Sequence, residues 1–273
     1  MEQRFSKSKV KGSSLFSPVK TFNNMFIYNP LEQFEIITIL PGDYFGLNFS
    51  LTNSSFFLLL SCIFIWLYFY LVLYRPILIP HSWQYIKESL YTLTSSMIQD
   101  NLGLKGEIYF PFIFTLYTIL LFCNLIGMIP YTFTVTSHII FTFGLALSVF
   151  IGINIIGIKV HGIRFFSIFL PKNVPLVIIP LLIAIEIISY FIKVFTLSIR
   201  LFANMTSGHT LLKIIANFTW TMLSSSGLLF IFHILPFGLL VILIGLELGI
   251  AILQAYVFAL LTCIYLNDVL DTH

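Results

Sequence analysis

Arg200 is the residue of this sequence best suited to chemistry inside a membrane. It lies in the run Ser198–Lys213, with apolar sequence on both sides. Arginine keeps its proton in proteins, so its side chain is a permanent positive charge. Placing arginine at the centre of a membrane helix raises the free energy of insertion by about 2.5 to 3.5 kcal/mol. Arginines that are kept there usually belong to ion or proton pathways. Arg200 therefore predicts a site that handles ions or protons.

Polar residues near Arg200 fall on one helix face. At about 100° per residue, Glu186, Lys193 and Asn204 lie within about 40° of Arg200, and the four residues form the first polar stripe. His209 lies about 180° from Arg200 on an ideal helix. We therefore expect His209 to serve a different surface unless the helix bends.

A second polar stripe is predicted farther along the chain. Its members recur every seven residues and are Glu247, Gln254, Leu261 and Asp268. A seven-residue repeat drifts only slowly around a helix, so these side chains share one face. We expect the second polar stripe to face the first, because both lie in otherwise apolar sequence.

Structural roles remain open for some of these residues. Direct pairing of Arg200 with Glu186 is excluded, because about four helical turns separate them by about 21 Å. Lys193 can instead extend its ammonium group to the membrane surface. Glu186 and Asp268 lie near the ends of apolar tracts, where solvated carboxylates are ordinary, so position favours neither a structural nor a functional role.

Glu247 and His209 are candidates for proton transfer. Glu247 lies between Gly245 and Gly249 in an apolar tract, where a neighbouring helix can approach closely. The ordinary pKa of histidine suits proton relay, and a histidine at a helix interface is equally suited to hydrogen bonding. No role is predicted for the other histidines, which are His81, His138, His161, His233 and His273.

The composition identifies the class of protein that carries these residues. The 273 residues are 58% hydrophobic and 9% charged, whereas soluble domains carry about 25% charged residues. The chain is therefore an integral membrane protein, with room for about five or six helices of roughly 20 apolar residues each. The net charge of +3 is scattered outside the N-terminal region, so no nucleic-acid partner is predicted.

The sequence predicts no metal centre, cofactor or catalytic site. Cys62, Cys123 and Cys263 stand singly in apolar runs without ligand spacing, and we predict buried free thiols. No nucleotide-binding loop occurs in the sequence.

The chain divides into a basic, serine-rich extension, residues 1–29, and a membrane domain, residues 30–273. The hydropathy pattern predicts three upright spans and one amphipathic helix on the membrane surface. The spans cover residues 56–74, 109–129 and 136–158, and the surface helix covers residues 81–104.

Two apolar tracts near the C-terminus are too long for upright spans. They cover residues 174–223 and 225–266, and forty helical residues extend about 60 Å, twice the hydrocarbon thickness. Each tract is therefore two short spans or one strongly tilted helix. We predict a tilted two-helix hairpin in an all-α membrane protein, because no proline lies between Leu181 and Leu235. Pro236 is expected to kink the second helix.

Basic residues predict the orientation in the membrane. Short loops on the inner side carry an excess of lysine and arginine. The basic loop residues are Arg75, Lys87 and Lys105, and then Lys159, Arg164 and Lys172. The N-terminus is then outside, although the five basic residues of the N-terminal extension oppose this orientation.

Several runs together resemble subunit a of the F-type ATP synthases. The most specific are Ile199–Met205 with Gly208 and His209, Leu246–Gly249 and Gln254–Phe258. Further matches are Pro30–Ile36, Cys123–Tyr131 and Ile264–Asp268. The likeness spans about residues 30–270. Histidine at position 209, together with Asp268, resembles the mitochondrial branch, whereas Lys193 departs from the arginine of many relatives.

The resemblance implies a non-catalytic stator subunit of a rotary, proton-transporting ATP synthase. In that family the last two helices form a tilted hairpin around a ring of c subunits. Arg200 would face the ring carboxylates, with Asn204 and Gln254 as polar neighbours. The implied partners are the c-subunit ring, the peripheral-stalk and other membrane-sector subunits, and lipid.

The resemblance also implies two offset half-channels. Glu247 and His209 would belong to the half-channel open to the intermembrane space, and Glu186 and Asp268 to the one open to the matrix. The implied location is the mitochondrial inner membrane, with the N-terminus towards the intermembrane space and the C-terminus towards the matrix.

A stand-alone proton-coupled transporter is the alternative function, because it would also carry buried arginine and glutamate. Such transporters usually contain inverted repeats with broken helices, and the sequence shows no such internal symmetry. A haem-binding electron-transfer subunit would need histidine pairs facing one another across helices. No histidines occupy matching positions in the middle of the predicted spans.

Overall fold

The computed structural model describes residues 31–44, 47–48, 50–73, 80–129, 132–162, 165, 179–224 and 232–270. Six α-helices make up most of these residues, as expected for an all-α protein. They are α1 (Asn53–Leu73), α2 (Ser82–Leu102), α3 (Phe110–Gly127), α4 (Ile139–His161), α5 (Ile179–Ser224) and α6 (Ile234–Leu270). The basic extension, residues 1–29, lies outside the described residues.

Five of these helices are long and apolar enough to cross a membrane. They are α1, α3 with the 3-10 turn before it, α4, α5 and α6. The helix α2 is not among them, because Lys87, Glu88 and Asp100 interrupt its apolar residues. The findings agree with the predicted integral membrane protein.

Prolines lie in the first turns of three helices. Pro111, Pro180 and Pro236 are near the starts of α3, α5 and α6. Amide groups in the first turn of a helix have no carbonyl partner within the helix, so proline, which lacks the amide hydrogen, is tolerated there. The prediction that Pro236 kinks a long helix is therefore wrong. Gly103 and Gly162 follow α2 and α4 with φ of 62° and 58°, a backbone conformation that glycine adopts without strain.

Two short antiparallel strand pairs, one nested within the other in sequence, precede α1, where no strand is predicted from the sequence. The strands are β1 (Thr38–Leu40), β2 (Asp43–Tyr44), β3 (Leu47–Asn48) and β4 (Leu51–Thr52). β1 pairs with β4, and β2 with β3, both antiparallel. The Asn53 side chain ties them to α1, because it donates to the Glu35 carbonyl at 3.0 Å and accepts from the Ile37 amide at 3.2 Å.

Small residues on α6 allow close packing at the centre of the bundle. Ala251, Ala255, Ala259 and Cys263 are all 0% exposed and recur every four residues. A stripe of this kind lets membrane helices approach closely. The Asn124 side chain of α3 uses this proximity and donates a hydrogen bond to the Ala251 carbonyl at 3.1 Å.

The first half of α5 runs antiparallel to α4. The Tyr190 hydroxyl donates to Asn154 Oδ1 at 2.8 Å, and the Thr206 hydroxyl donates to the Ser137 carbonyl at 3.3 Å. Beyond His209 the only buried residue of α5 is Thr219, and before Glu247 the only buried described residue of α6 is Pro236. The distal half of the hairpin is therefore largely exposed within the described chain.

The bundle has two distinct ends. Phe57 at the start of α1 packs near Phe133, with ring centroids 6.4 Å apart. The start of α1 and residues 132–138 thus share one end, called the N-terminal side. His161 Nε2 lies 3.1 Å from the Leu270 carbonyl. The ends of α4 and α6 thus share the opposite end, called the C-terminal side.

The three cysteines are free thiols, but one differs from prediction. Cys123 and Cys263 are buried, whereas Cys62 is exposed. The cause is the orientation of α1, which turns the preceding residue, Ser61, towards Cys123 with Oγ and Sγ 3.5 Å apart. In the described part of the chain no group of three or more His, Cys, Asp and Glu residues is arranged to hold a metal ion.

Candidate functional site

Three polar pairs connect α5 to α6. The pairs are Lys193 with Asp268 at 3.3 Å, Asn204 with Gln254 at 3.1 Å, and His209 with Glu247 at 3.4 Å. Positions rise along α5 while they fall along α6, so the helices are antiparallel. The contacts bring the two polar stripes together.

Arg200 lies between the first and second of these pairs and is exposed. The member of the second polar stripe at this level is Leu261, which offers no charge. Among the described residues Arg200 therefore has no ion-pair partner.

Lys193 contacts α6 instead of extending along α5. Its ammonium group lies 3.3 Å from Asp268 Oδ2, 4.9 Å from the Tyr265 ring centroid and 5.8 Å from that of Tyr190. The side chains of Lys193 and Asp268 are 31% and 49% exposed, so the ion pair contributes only modestly to stability. Its main effect is to place a positive charge beside the carboxylate.

Asn204 and Gln254 form an uncharged link one helical turn beyond Arg200. Asn204 Nδ2 donates to Gln254 Oε1 at 3.1 Å, and Gln254 is 3% exposed. Amides supply hydrogen-bond donors and acceptors without titrating. This part of the site is therefore polar but holds no ionisable group.

Glu247 and His209 form the most buried pair. Glu247 Oε1 lies 3.4 Å from His209 Nδ1, and the side chains are 5% and 16% exposed. The contact lacks hydrogen-bond geometry, so both Glu247 oxygens and His209 Nε2 have no hydrogen-bond partner among the described residues. These three atoms are therefore not committed to a hydrogen bond within the described chain.

The position of His209 corrects the prediction that it serves a different surface. Leu201 and Met205 are buried at 0% and 1% exposure and form the centre of the packed face of α5. On an ideal helix Asn204 and His209 lie about 140° apart, one on each flank of this face. Both side chains therefore reach α6.

Gly208 allows Glu247 to approach α5, a role that the sequence did not indicate. A Cβ atom on Gly208 would lie 2.6 Å from Glu247 Oε1 and 3.0 Å from its Cδ. In contrast, a Cβ atom on Gly245 or Gly249 would meet nothing within 4 Å. The close approach thus depends on Gly208 rather than on the glycines that flank Glu247.

A cavity of about 190 Å³ lies beside this pair. Its polar lining comes from Asn204, Ser207 and Glu247, and leucine and isoleucine side chains complete the wall. The lining is mostly apolar, but a cavity of this size has room for several water molecules beside its three polar side chains. The arrangement can therefore supply water to Glu247.

Glu186 is not brought into any of the three pairs. It is partly buried on α5, about two helical turns before Lys193. The structure thus joins six of the polar residues across the hairpin and leaves Arg200 and Glu186 outside these pairs.

Comparisons with known proteins identify the family. The model for the ATP synthase A chain family matches residues 55–267, a range that includes both polar stripes except Asp268. The chain belongs to the ATP synthase subunit a family. It is therefore a proton-translocating subunit of the membrane sector of the rotary ATP synthase.

Similar proteins from algae and plants cover most of the chain. ATP synthase subunit a of Chondrus crispus is 68% identical over 250 residues, which are 92% of this chain and 99% of that protein. The Marchantia polymorpha protein of the same name is 49% identical over 249 residues, 90% of this chain and 99% of that protein. ATP synthase subunit a-2 of Arabidopsis thaliana is 46% identical over 256 residues, 91% of this chain and 73% of that protein.

Replacing Gly208 with alanine should impair proton translocation by displacing Glu247. The added methyl carbon would lie 2.6 Å from Glu247 Oε1, so the carboxylate must shift away from α5. We expect proton-driven ATP synthesis to fall about tenfold or more. Gly152→Ala is the matched control, because its Cβ atom would meet nothing within 4 Å. Equal rates for the two variants would contradict the assigned role of Gly208.

Proposed function

We propose that the chain is the non-catalytic stator subunit that brings protons to and from a ring of carboxylate-bearing c subunits in the mitochondrial inner membrane. The observation that carries the proposal is the position of Arg200. Its permanent charge is exposed and unpaired within the described chain, and polar pairs lie on both sides of it along the hairpin. A partner carboxylate is the group best suited to such a guanidinium.

Proton entry is assigned to the buried end of the site. Glu247 lines the cavity and His209 lies beside Glu247, and both have atoms without a hydrogen-bond partner among the described residues. Protons would pass from water through this pair to the ring. This assignment makes the cavity part of the half-channel open to the intermembrane space.

Proton release is assigned to the opposite end of the site. Asp268 beside Lys193 is partly exposed, and Glu186 lies about two turns farther towards the start of α5. The partly exposed Asp268 carboxylate is open to water, to which it can pass a proton. These residues would form the half-channel open to the matrix.

Arg200 separates the two half-channels. A ring carboxylate is neutral while it faces lipid, and it ionises opposite a fixed cation. A proton cannot pass directly between the half-channels, because it would have to approach the guanidinium. The amide pair of Asn204 and Gln254 helps to keep the half-channels separate. It keeps the surroundings of Arg200 polar, but neither amide can take up a proton and pass it on. Each charge moved contributes about 2.3 kcal/mol per 100 mV to rotation.

The length of the hairpin supports a tilted orientation. The 46 residues of α5 extend about 69 Å, whereas the hydrocarbon core is about 30 Å thick. A helix of this length stays within the membrane only when it is steeply inclined. Inclination would also spread the three pairs along the edge of a ring rather than stacking them across the bilayer.

The proposed topology follows from the basic loops. The N-terminal side would face the intermembrane space and the C-terminal side the matrix. The peripheral stalk, other membrane-sector subunits and lipid would cover the remaining exposed apolar helix faces.

Isolation and reconstitution test the proposal against the alternative of a stand-alone transporter. Purified from membranes in mild detergent, the chain should be recovered with a c-subunit ring. Proton flow through the reconstituted complex should stop when an inhibitor modifies the ring carboxylate. A stable lone chain that carries out substrate-dependent proton flux would overturn the proposal in favour of the transporter.

Replacing Lys193 with glutamine should slow proton release. Without the ammonium group, α6 loses the ion pair that holds Asp268 against α5, so the carboxylate is no longer held in place for proton release. The pair is partly exposed, so we expect a moderate effect, about two- to fivefold in ATP synthesis rate. Lys193→Arg keeps the charge and should retain most of the activity. Equal losses in both variants would indicate a packing role for Lys193 instead.

A further inference from the structure

The first polar pair contains a lysine that does not extend towards the nearest end of the bundle. α5 runs antiparallel to α4 and therefore begins at the C-terminal side. Helical side chains lean towards the start of their own helix, and a lysine in a membrane helix commonly extends its ammonium group to the membrane surface. In the structure the ammonium group of Lys193 contacts Asp268 of α6 instead, at 3.3 Å.

The ion pair alone does not account for this orientation of Lys193. The two side chains are 31% and 49% exposed. Ion pairs with this exposure contribute little, because water screens the charges and because holding two long side chains in one geometry costs entropy. A second contact must therefore hold the ammonium group on α6.

Two tyrosine rings supply contacts to the ammonium group. Lys193 Nζ lies 4.9 Å from the ring centroid of Tyr265 and 5.8 Å from that of Tyr190, within the range in which a cation is attracted to an aromatic face. Tyr190 lies three residues before Lys193, one turn closer to the start of α5. Its ring is therefore on the side towards which the lysine would otherwise extend.

The ring of Tyr190 is itself held by α4. The Tyr190 hydroxyl donates to Asn154 Oδ1 at 2.8 Å, and Asn154 Nδ2 donates to the Phe150 carbonyl at 2.9 Å. Both ends of the Asn154 amide are thus engaged. The Phe150 ring also packs against Tyr190, with centroids 4.9 Å apart. The Tyr190 ring therefore cannot turn away from Lys193 without breaking a short hydrogen bond.

We propose that Tyr190, anchored by Asn154, is a positioning residue for proton release, because it keeps the ammonium group of Lys193 on Asp268. The inference rests on the proposed function, which assigns Asp268 to proton release. Neither Tyr190 nor Asn154 belongs to the polar stripes. α4 thereby acts on the site through Tyr190, although it contributes no side chain to the three polar pairs.

Carbodiimide cross-linking in the intact synthase measures the position of Lys193. A water-soluble carbodiimide activates the Asp268 carboxylate, and the Lys193 amine in contact with it displaces a urea and forms an amide bond. Mass spectrometry of the linked α5 and α6 peptides gives the yield. Tyr190→Leu should lower this yield about two- to fivefold, the effect of losing one partly exposed contact between a cation and a ring. Lys193→Gln should give no linked peptide, which verifies the product.

Phe191→Leu is the matched control. Phe191 is the next residue of α5, and its ring lies 6.0 Å from that of Phe150. However, its side chain is 56% exposed, and the rings that contact Lys193 in the described chain are those of Tyr190 and Tyr265. The yield of linked peptide in Phe191→Leu should equal that of the unmodified chain. An equal yield in Tyr190→Leu would overturn the inference.

Two milder variants cover the case in which Tyr190→Leu does not assemble with the c-subunit ring. Tyr190→Phe keeps the ring but removes the hydrogen bond to Asn154, and Asn154→Leu removes the same bond from the side of α4. Both should give a yield between those of Tyr190→Leu and the unmodified chain. Full yields in both variants would overturn the anchoring of Tyr190 by Asn154.

A double substitution distinguishes positioning from a general packing role. Tyr190→Leu should lower the rate of proton-driven ATP synthesis about two- to fivefold. If Tyr190 acts through Lys193, Tyr190→Leu should cause no further loss in a chain that already carries Lys193→Gln. Additive losses would show that Tyr190 only stabilises the packing of α4 on α5, and they would overturn the inference.

Cross-linking and synthesis together separate the inference from the proposed function. The linked peptide reports the position of Lys193 whether or not Asp268 carries protons. A low yield in Tyr190→Leu with undiminished synthesis in both Tyr190→Leu and Lys193→Gln would overturn the assignment of Asp268 to proton release. A full yield in Tyr190→Leu beside an Arg200→Ala variant that leaks protons would overturn the positioning role alone.

Discussion

Replacing Arg200 with alanine should abolish proton-driven ATP synthesis and open a passive proton leak. Arg200 is the only charged residue between Lys193 and His209 in the sequence of α5. Without it, a proton that leaves one half-channel no longer meets a positive charge before the other. Both water paths remain, so the proton gradient dissipates without rotation. Lowering the barrier by about 2.7 kcal/mol would raise the leak about 100-fold.

Vesicles that contain the reconstituted synthase provide the measurement. Proton uptake should rise in Arg200→Ala vesicles and fall again when an inhibitor modifies the ring carboxylate, whereas a leak from damaged membranes would not respond. Arg200→Lys should also fail to support synthesis, because an ammonium group lacks the planar fork and can lose its proton when desolvated. Near wild-type synthesis by Arg200→Ala would make Arg200 a structural residue.

The charged members of the site were predictable because charge in lipid is costly. Arg200 and Glu247 stand out in sequence for this reason alone. The seven-residue repeat of the second polar stripe correctly indicated a shared face, and the contacts of Gln254 and Asp268 with α5 confirm that this face meets the first polar stripe.

Residues whose roles depend on close approach were not predictable. Gly208 matters only because the Glu247 carboxylate occupies the space where a Cβ atom would lie, and no local pattern encodes a contact between residues so far apart in sequence. The surface that His209 contacts was predicted wrongly. An ideal helical wheel gives only the direction of each side chain, whereas side chains on both flanks of a packed face are long enough to contact the same neighbouring helix.

The inclination of the helices could be predicted only in part. Length predicts that α5 is tilted, and α4, at 23 residues, is short enough to stand upright. However, α4 and α5 stay in contact from Asn154–Tyr190 to Ser137–Thr206, which requires a modest crossing angle. If α5 is steeply inclined, α4 must therefore be inclined in much the same way. This inclination of α4 follows from its packing against α5 and cannot be predicted from hydropathy.

Replacing Glu247 with glutamine should slow proton entry without opening a leak. Glutamine has nearly the same shape and preserves the packing against Gly208, but it cannot take up and release a proton in the relevant pH range. Loss of a positioned proton-transfer group typically costs about 100-fold or more in rate. Arg200 remains in place, so the half-channels stay separated. Glu88→Gln is the matched control, because Glu88 is exposed on α2 and hydrogen-bonded to Gln84.

Combining the two substitutions tests whether Glu247 and Arg200 act in series on one path. If protons enter through Glu247, the leak of Arg200→Ala should fall about tenfold or more when Glu247→Gln is added. If Glu247 only holds α6 against α5, the double variant should leak as fast as Arg200→Ala alone. Proton uptake in the same vesicle assay distinguishes these results. An undiminished leak would remove Glu247 from the proton path, and with it the assignment of the adjacent cavity to proton entry.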